Sequence, residues 1–417
     1  MTTAETIFGD DDVDVRTAPE SRNNQPLDYD DVEFNTAPTS HNNDPVELEF
    51  DENIIKEETI DITEISANIE REKLNLNRIR DKVLQYDKVS ELQSVIDGLF
   101  KVIERLNAKL RQYQIDLEYF RDNNAKTLYY TGLPKFALLE TFIFKLSPHI
   151  DRKSSNILSA SRIIILTLMK LRLGLQFTDL GYRFQVSKQT ASRAFFSCIN
   201  TLYFKMKGMV YRPSREEVMN TMPNCFKTNF GDEVAHIIDC VELYIEAPYH
   251  FDTRIQCWSE YKHHYTLKYL VSITPQGMFE FISKGYGGRA NDMLVTTSCN
   301  FLDILEPGDL VLADKGFNMH DVFKIRSVDL EIPAFVCNQQ QLHPLAVEKT
   351  RKIANVRIHV ERCIGLLRRK FMILHRIIPV SMLSKPVSAS DNVPFMDKII
   401  TVCSALCNLC PTIIRDE

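Results

Sequence analysis

The chain has 417 residues, 44% of them hydrophobic and 25% charged, with a formal net charge of -6. That is enough chain for two or three domains and a sizeable core, with the composition of an ordinary soluble protein. No run of about 18 apolar residues offers a membrane-spanning helix, and the acidic N-terminus lacks the basic-then-apolar order of a signal peptide. The ten cysteines are scattered without a disulfide-framework spacing, which suits a reducing compartment.

Charge is unevenly divided. Residues 1–64 hold 19 acidic against 3 basic side chains, and the rest of the chain holds 37 against 47. An acidic tail on a basic body points to a polyanionic partner for the body. The tail is poor in core residues and reads as disordered. Within it, Asp11-Asp12-Val13, Thr17-Ala18-Pro19 and Asn23-Asn24 recur 19 residues later as Asp30-Asp31-Val32, Thr36-Ala37-Pro38 and Asn42-Asn43. Prolines and polar residues make this a duplicated unfolded segment rather than a stacked solenoid.

Residues 66–122 read as helix. From Val89 the apolar residues step by three and four, with Val89, Ile96, Ile103, Leu110 and Leu117 in one row and Leu92, Leu99, Leu106, Tyr113 and Phe120 in the other. That is a heptad seam, and β-branched residues in the first row with leucine in the second favour a parallel two-stranded coiled coil, hence a homodimer. An earlier stretch, Leu76, Ile79, Val83 and Tyr86, joins it out of phase. Asn123–Tyr130 reads as a hinge.

Residues 133–205 form a helical domain. Leu133-Pro134 opens one helix, Ala160–Leu173 is a strongly apolar second, and Phe177–Phe184, Gln185-Val186-Ser187 and Lys188–Leu202 follow. A short helix, a tight connection and a helix opened by Ser187 as N-cap form a helix-turn-helix pattern. Lys188, Gln189 and Arg193 would face DNA, while Ala191, Ala194, Phe195 and Ile199 face the core.

From His236 the pattern changes to strands. Val234–Glu246 alternates around Asp239, and Tyr265–Thr274 and Met278–Lys284 make a hairpin about Pro275-Gln276-Gly277. A glycine-rich loop, Gly285–Asp292, leads to a helix over Met293–Leu305. Leu310–Ala313 is a strand ending at Asp314, Glu331–Val336 another, and Val347–Phe371 a long basic helix bearing Glu361. This is α/β organisation, with the domain spanning residues 234–410.

Asp239, Asp314 and Glu361 each lie in or beside an apolar segment, where an ionised carboxylate is costly unless paired or bound to a metal. Brought together, they would form an all-oxygen site of the kind Mg²⁺ or Mn²⁺ prefers. Two such ions can activate water or a 3′-hydroxyl for phosphodiester chemistry without a side-chain nucleophile. Lys262, Lys268, Lys284, Arg289, Lys315 and Arg357, with Arg362, Arg368 and Arg369, would hold the DNA backbone. The residues leave other readings open. Asp314 could cap a turn, and Glu361 could pair with Arg357 or Arg368. Cys403, Cys407 and Cys410 recur at helical spacing among apolar residues, which is a core pattern before it is a metal site. His263, His264 and Asp292 could serve structure or the site.

The strings Ile238-Asp239-Cys240 with Glu242, Trp258 to His264, Thr274-Pro275-Gln276-Gly277, Ile282-Ser283-Lys284, Gly288-Arg289-Ala290-Asn291-Asp292, Leu312 to Phe317 and Arg357 to Arg362 occur in order. Together they resemble the DDE endonuclease domain of eukaryotic PIF/Harbinger-like transposases, within the broad IS5-like class. Residues 133–203 resemble the helix-turn-helix domain that commonly precedes it. The resemblance implies a ribonuclease H-like fold and a metal-binding catalytic triad of Asp239, Asp314 and Glu361. It further implies DNA cleavage and strand transfer, and a nuclear location. Asn291 stands where relatives often carry serine. No Cys precedes Cys198 and no His precedes His41, so the THAP-type finger of many relatives is not expected here. The competing reading is a domesticated DNA-binding or scaffold protein that has lost catalysis.

Overall fold

The computed structural model describes residues 62–83, 89–150, 157–231, 233–334, 343–383, 392–412 and 414. The acidic stretch up to residue 61, with its repeat, lies outside the described residues, as do 335 and 336 of the expected last strand.

The heptad region forms two helices, α1 (Ile62–Val83) and α2 (Val89–Tyr113). Ile69 and Leu76 of α1 cluster with Ile103 of α2, and Ile65 and Phe100 pack against them. Ile96 and Ile103, both from the first heptad row, are buried, whereas Leu92, Leu99 and Leu106 of the second row are 40–45% exposed. One row is therefore covered within the chain and the other is not. Phe120 does not extend the seam, because it lies in a separate 3₁₀ turn, Glu118–Phe120, fully buried in another core.

The expected hinge is instead a helix, α3 (Asn124–Thr131). Asn123 caps it by accepting the Lys126 N–H at 2.8 Å, and Gly132 ends it at φ 77°. Next come α4 (Phe136–Leu146), α5 (Ala160–Leu173), α6 (Phe177–Phe184) and α7 (Lys188–Met206). Every residue of α5 from Ile163 to Leu171 is buried, so this apolar helix is the spine on which the others pack. The α6–α7 turn uses Gln185 at φ 56°, and the Ser187 side chain accepts the Thr190 N–H at 3.1 Å. A Cβ at Gly181 would stand 2.7 Å from the Val186 carbonyl oxygen, so the turn closes only over glycine.

Two short helices, α8 (Arg215–Asn220) and α9 (Asn224–Phe230), lead into the sheet. Its strands are β1 (Val234–Tyr244), β2 (Trp258–Ser259), β3 (His264–Ile273), β4 (Phe279–Ile282), β5 (Tyr286–Gly287), β6 (Leu310–Leu312) and β7 (Asp329–Glu331). The order is β2-β3-β1-β6-β7, and β4 and β5 also pair with β3. β3 is antiparallel to β1, whereas β6 is parallel to β1 and β7 is parallel to β6. Interspersed helices are α10 (Phe251–Cys257), α11 (Asp292–Ser298), α12 (His320–Lys324), α13 (Pro344–Lys370) and α14 (Phe395–Asn408). The helix expected to reach Leu305 stops at Ser298, because Cys299 takes an extended backbone before a 3₁₀ turn.

The sheet is buried on both faces. Ile237, Val241 and Leu243 pack with Val356, Val360 and Leu367 of α13, while Ile238 packs with Val295, Phe301 and Phe317 on the other side. Each such apolar side chain contributes about 1.5–3 kcal/mol. The first of these cores is continuous with the helix-turn-helix region. Phe196 of α7 lies 4.5 Å from Phe395 of α14, ring to ring, and Arg376 donates to the Gly174 carbonyl at 3.0 Å.

A charged cluster is sealed beneath the sheet. His236 of β1 pairs through Nδ1 with Glu280 of β4 at 2.6 Å and through Nε2 with Asp309 at 3.3 Å, all three side chains being about 1% exposed or less. Arg212, from the segment after α7, closes the cluster on Asp309 at 3.0 and 3.2 Å. Burial by itself would lower the His236 pKa, but Glu280 and Asp309 outweigh it and raise it to about 9. The imidazolium therefore favours the folded state fully below its unfolded value, about 6.5, and that contribution is lost as pH rises through about 9. Urea titrations between pH 6 and 10 are expected to show about 1–3 kcal/mol of stability lost over this window, and His236→Asn should remove the dependence. An unchanged slope in the variant would assign the loss to other groups.

Candidate active site

Asp239 stands at the middle of β1 and alternates with Ile238 and Cys240, so it shares the α13 face with Ile237 and Val241. Its Oδ1 accepts the Cys240 N–H at 2.8 Å. Asp314 follows β6 and caps the 3₁₀ turn Lys315–Phe317, its Oδ1 accepting the Lys315 N–H at 2.7 Å. The parallel register sets Leu312 beside Ile237, so the chain two residues on comes level with Asp239. Glu361 projects from α13 one turn after Arg357.

Arg357 binds two of these acids. Its Nη2 lies 2.9 Å from Glu361 Oε1 and its Nη1 lies 3.6 Å from Asp314 Oδ2. Burial, reinforced by Asp314 and Glu361, pushes the Asp239 carboxyl up to about 6, against the opposing Cys240 N–H and Arg357 charge. Both other acids thus act on Asp239. Asp239 is the enclosed member, whereas about half of the Asp314 and Glu361 side chains is open to solvent. Among the described residues no three His, Cys, Asp or Glu side chains stand close enough to hold a metal ion. Arg357 supplies the counter-charge. Carboxylate oxygens are the donor type a hard divalent cation takes, and two of the acids are open to solvent.

The basic residues fall into separate groups. Lys188, Gln189 and Arg193 are exposed on the first turns of α7, as are Lys262, Arg289 and Lys315 around the sheet, while Lys284 is half-buried. Arg357 is taken up by the acids. Beyond Glu361, Arg362, Arg368, Arg369 and His375 line a shallow groove of about 460 Å³. Arg368 sits over the Tyr244 ring, 5.8 Å from its centre.

The remaining candidates have structural partners. Asn291 caps α11 by accepting the Leu294 N–H at 2.7 Å. Asp292 pairs with Lys268 at 3.3 Å, which also faces Glu242 at 3.6 Å. A Cβ at Gly316 would lie 2.7 Å from Asp292 Oδ2, so Asp292 backs the turn that carries Asp314. His263 holds a φ of 50° in the turn before β3, and His264 lies 5.0 Å from Tyr244, ring to ring. Cys403 and Cys407 are buried in α14, and Cys410 accepts from Lys370 Nζ at 2.7 Å. Sequence reading missed the Glu242–Lys268–Asp292 and His236–Glu280–Asp309 groups. Only the β1–β3 register, which sets Glu242 against Lys268, reveals the first.

A helix-turn-helix packed onto a sheet with clustered acids and a basic helix describes a protein that works on DNA. Comparison with protein families agrees. Residues 238–408 match the DDE superfamily endonuclease, and residues 157–208 match the helix-turn-helix of DDE superfamily endonuclease. The chain therefore carries a DDE superfamily endonuclease domain preceded by that superfamily's transposase helix-turn-helix. No curated protein and no solved structure gives a significant match. Among the described residues no helix is long and apolar enough to cross a membrane.

A half-buried carboxylate with two acidic neighbours is disfavoured in its charged form. In chelator at neutral pH, Asp239→Asn is expected to stabilise the protein by about 1–3 kcal/mol in urea unfolding. A destabilised variant would mean that Arg357 already compensates Asp239 fully.

Proposed function

We propose that the chain is a transposase-type, metal-dependent DNA endonuclease and strand-transferase, with Asp239, Asp314 and Glu361 as its metal-holding and catalytic acids. The observation that carries this reading is the Arg357 bridge from Asp314 to Glu361 within electrostatic reach of Asp239. A strand order of β3-β1-β6-β7, with β6 parallel to β1, supports a ribonuclease H-like fold. Mg²⁺ or Mn²⁺, as two ions, would supply activation of water or a 3′-hydroxyl and stabilise the leaving oxygen. Asp239 is held by its strand and the Cys240 N–H, so its oxygens are fixed before substrate arrives. Asp314 and Glu361 face solvent, where a phosphodiester can approach. Arg357 has a planar fork that serves carboxylate and phosphate alike.

The domains divide the work. Residues 133–205 present Lys188, Gln189 and Arg193 to duplex DNA, and residues 234–410 cut it. Lys262, Lys284, Arg289, Lys315 and Arg357 hold the backbone by charge. Residues 1–64 form the acidic tail, and a nuclear location follows from the substrate. With Mg²⁺ or Mn²⁺ and transposon-terminal DNA, the protein should nick the duplex, and chelator should stop it. Asp239→Ala, Asp314→Ala and Glu361→Ala should each lower the rate by about 10³-fold or more, the scale of losing a preorganised electrostatic group. A wild type that cleaves no faster than Asp239→Ala refutes the catalytic assignment.

Residues 66–122 support self-association. Leu92, Leu99 and Leu106 keep one heptad row open on α2 while the other packs on α1. That row fits a second copy as a helical, coiled-coil homodimer. Light scattering should give a dimer mass for the full chain and a monomer mass for Leu99→Glu combined with Leu106→Glu. Equal masses would exclude this row as the interface.

A further inference from the structure

The connection between β1 and β3 exposes an unusual number of rings. Tyr249 is 85% exposed, Phe251 73%, Tyr261 82% and Trp258 38%. Single exposed apolar residues are common, but four large aromatics open to solvent within 13 residues of chain are not. The backbone beneath them is firmly held. Glu246 N–H donates to the Ile378 carbonyl at 2.9 Å, and Arg254 Nε donates to the Pro248 carbonyl at 2.6 Å. Thr253 and Cys257 bury the inner face of α10, and β2 pairs with β3. The Ser259 hydroxyl accepts the Lys262 N–H at 3.2 Å, closing the turn that carries Tyr261. Tyr249, Phe251 and Tyr261 therefore stand open to solvent on a firmly held backbone, with Trp258 partly covered by Tyr265.

Their place relative to the acids is set by β1. Asp239 and Tyr244 are five residues apart on the strand, about 17 Å, or about five stacked nucleotides. From the groove beside Glu361, ring contacts lead as far as Trp258. Arg368, in the groove beside Glu361, lies over Tyr244. Tyr244 meets the His264 ring at 5.0 Å, His264 meets Tyr265 at 6.5 Å, and Tyr265 meets Trp258 at 5.2 Å. Lys262 Nζ lies 4.4 Å from the Tyr261 ring centre. Asp252 and Glu260 also lie on this connection, but Arg368 and Lys262 each set a cation against a ring beside the basic groove, an arrangement that suits a phosphate backbone with unpaired bases.

We propose that Tyr249, Phe251, Trp258 and Tyr261 form a stacking platform for unpaired bases of the DNA that passes Asp239. This rests on the nuclease reading and adds a structural preference to it: a junction of duplex with single strand rather than a blunt duplex. The groove along α13 would hold the backbone, and the platform, which lies beyond Tyr244 along the chain, would take the splayed bases.

The test uses the full chain in chelator, where nothing is cut. One duplex is prepared blunt and with an unpaired tail of about five nucleotides bearing 2-aminopurine, on either strand end. One tailed form should bind about tenfold more tightly than the blunt form, with 2-aminopurine fluorescence quenched, as expected for stacking of one or two bases. Phe251→Ala combined with Tyr261→Ala should lose both the gain and the quench while binding the blunt duplex within about twofold of wild type. Tyr261→Phe, which keeps the ring, should retain them. A wild type with no tail preference, or a double variant that keeps it, overturns the platform. Asp239-dependent cleavage is scored separately with metal. A chain that cuts without tail preference loses only the platform, and one that prefers tails without cutting loses only the nuclease reading.

Discussion

The fold around the sheet turns on one difficulty: β1, the central strand, carries His236 and Asp239 into a sheet packed on both faces. His236 is resolved internally. Glu280 and Asp309 clamp it, Arg212 completes the cluster, and the charges are neutralised by neighbours from β4, the start of β6 and the segment leaving the helix-turn-helix. Such a cluster adds little net stability over an apolar core, but breaking it strands a buried charge. It therefore acts as a registration device. The strand order cannot shift without separating the imidazolium from both carboxylates.

Asp239, three residues further on, is resolved only in part. Its carboxyl receives one backbone N–H and a share of Arg357, while Asp314 and Glu361 add negative charge. The contrast is informative. One buried ionisable group on β1 is fully paired, and the next is left short of positive charge beside an opening to solvent. Perturbed carboxylates of this kind cluster at functional sites and also occur in structural ion-pair networks. Arg357 holds the acids together by charge without burying them.

Part of this was legible along the chain. The boundaries of α5 and α6, the start of α7 and the Ser187 cap follow from local rules: an apolar run, a glycine that permits a tight turn, a hydroxyl before a helix. β1, the hairpin after it and the basic helix were legible for the same reason, since period-two and period-3.6 patterns are local. Asn123–Tyr130, which falls on α3 itself, misled because a polar stretch reads as a hinge unless its cap is recognised. Asn123 and Gly132 supply both ends of the helix. Phe120 misled because it keeps heptad spacing while belonging to a different core.

The sequence by itself determined which residues are chemically able to act: isolated acids in apolar segments, a basic helix, a helix-turn-helix and a seam of leucines. These depend on residue type and short spacing, which survive in one dimension. Only the tertiary structure decided which of them meet. The parallel pairing of β6 with β1 brings the Asp314 turn level with Asp239, and the crossing of α13 puts Arg357 between Asp314 and Glu361. The same crossing sets Arg368 over the Tyr244 ring of β1. Each is a contact across many residues of chain, fixed by burial of apolar faces remote from the acids themselves, so no local pattern could encode it.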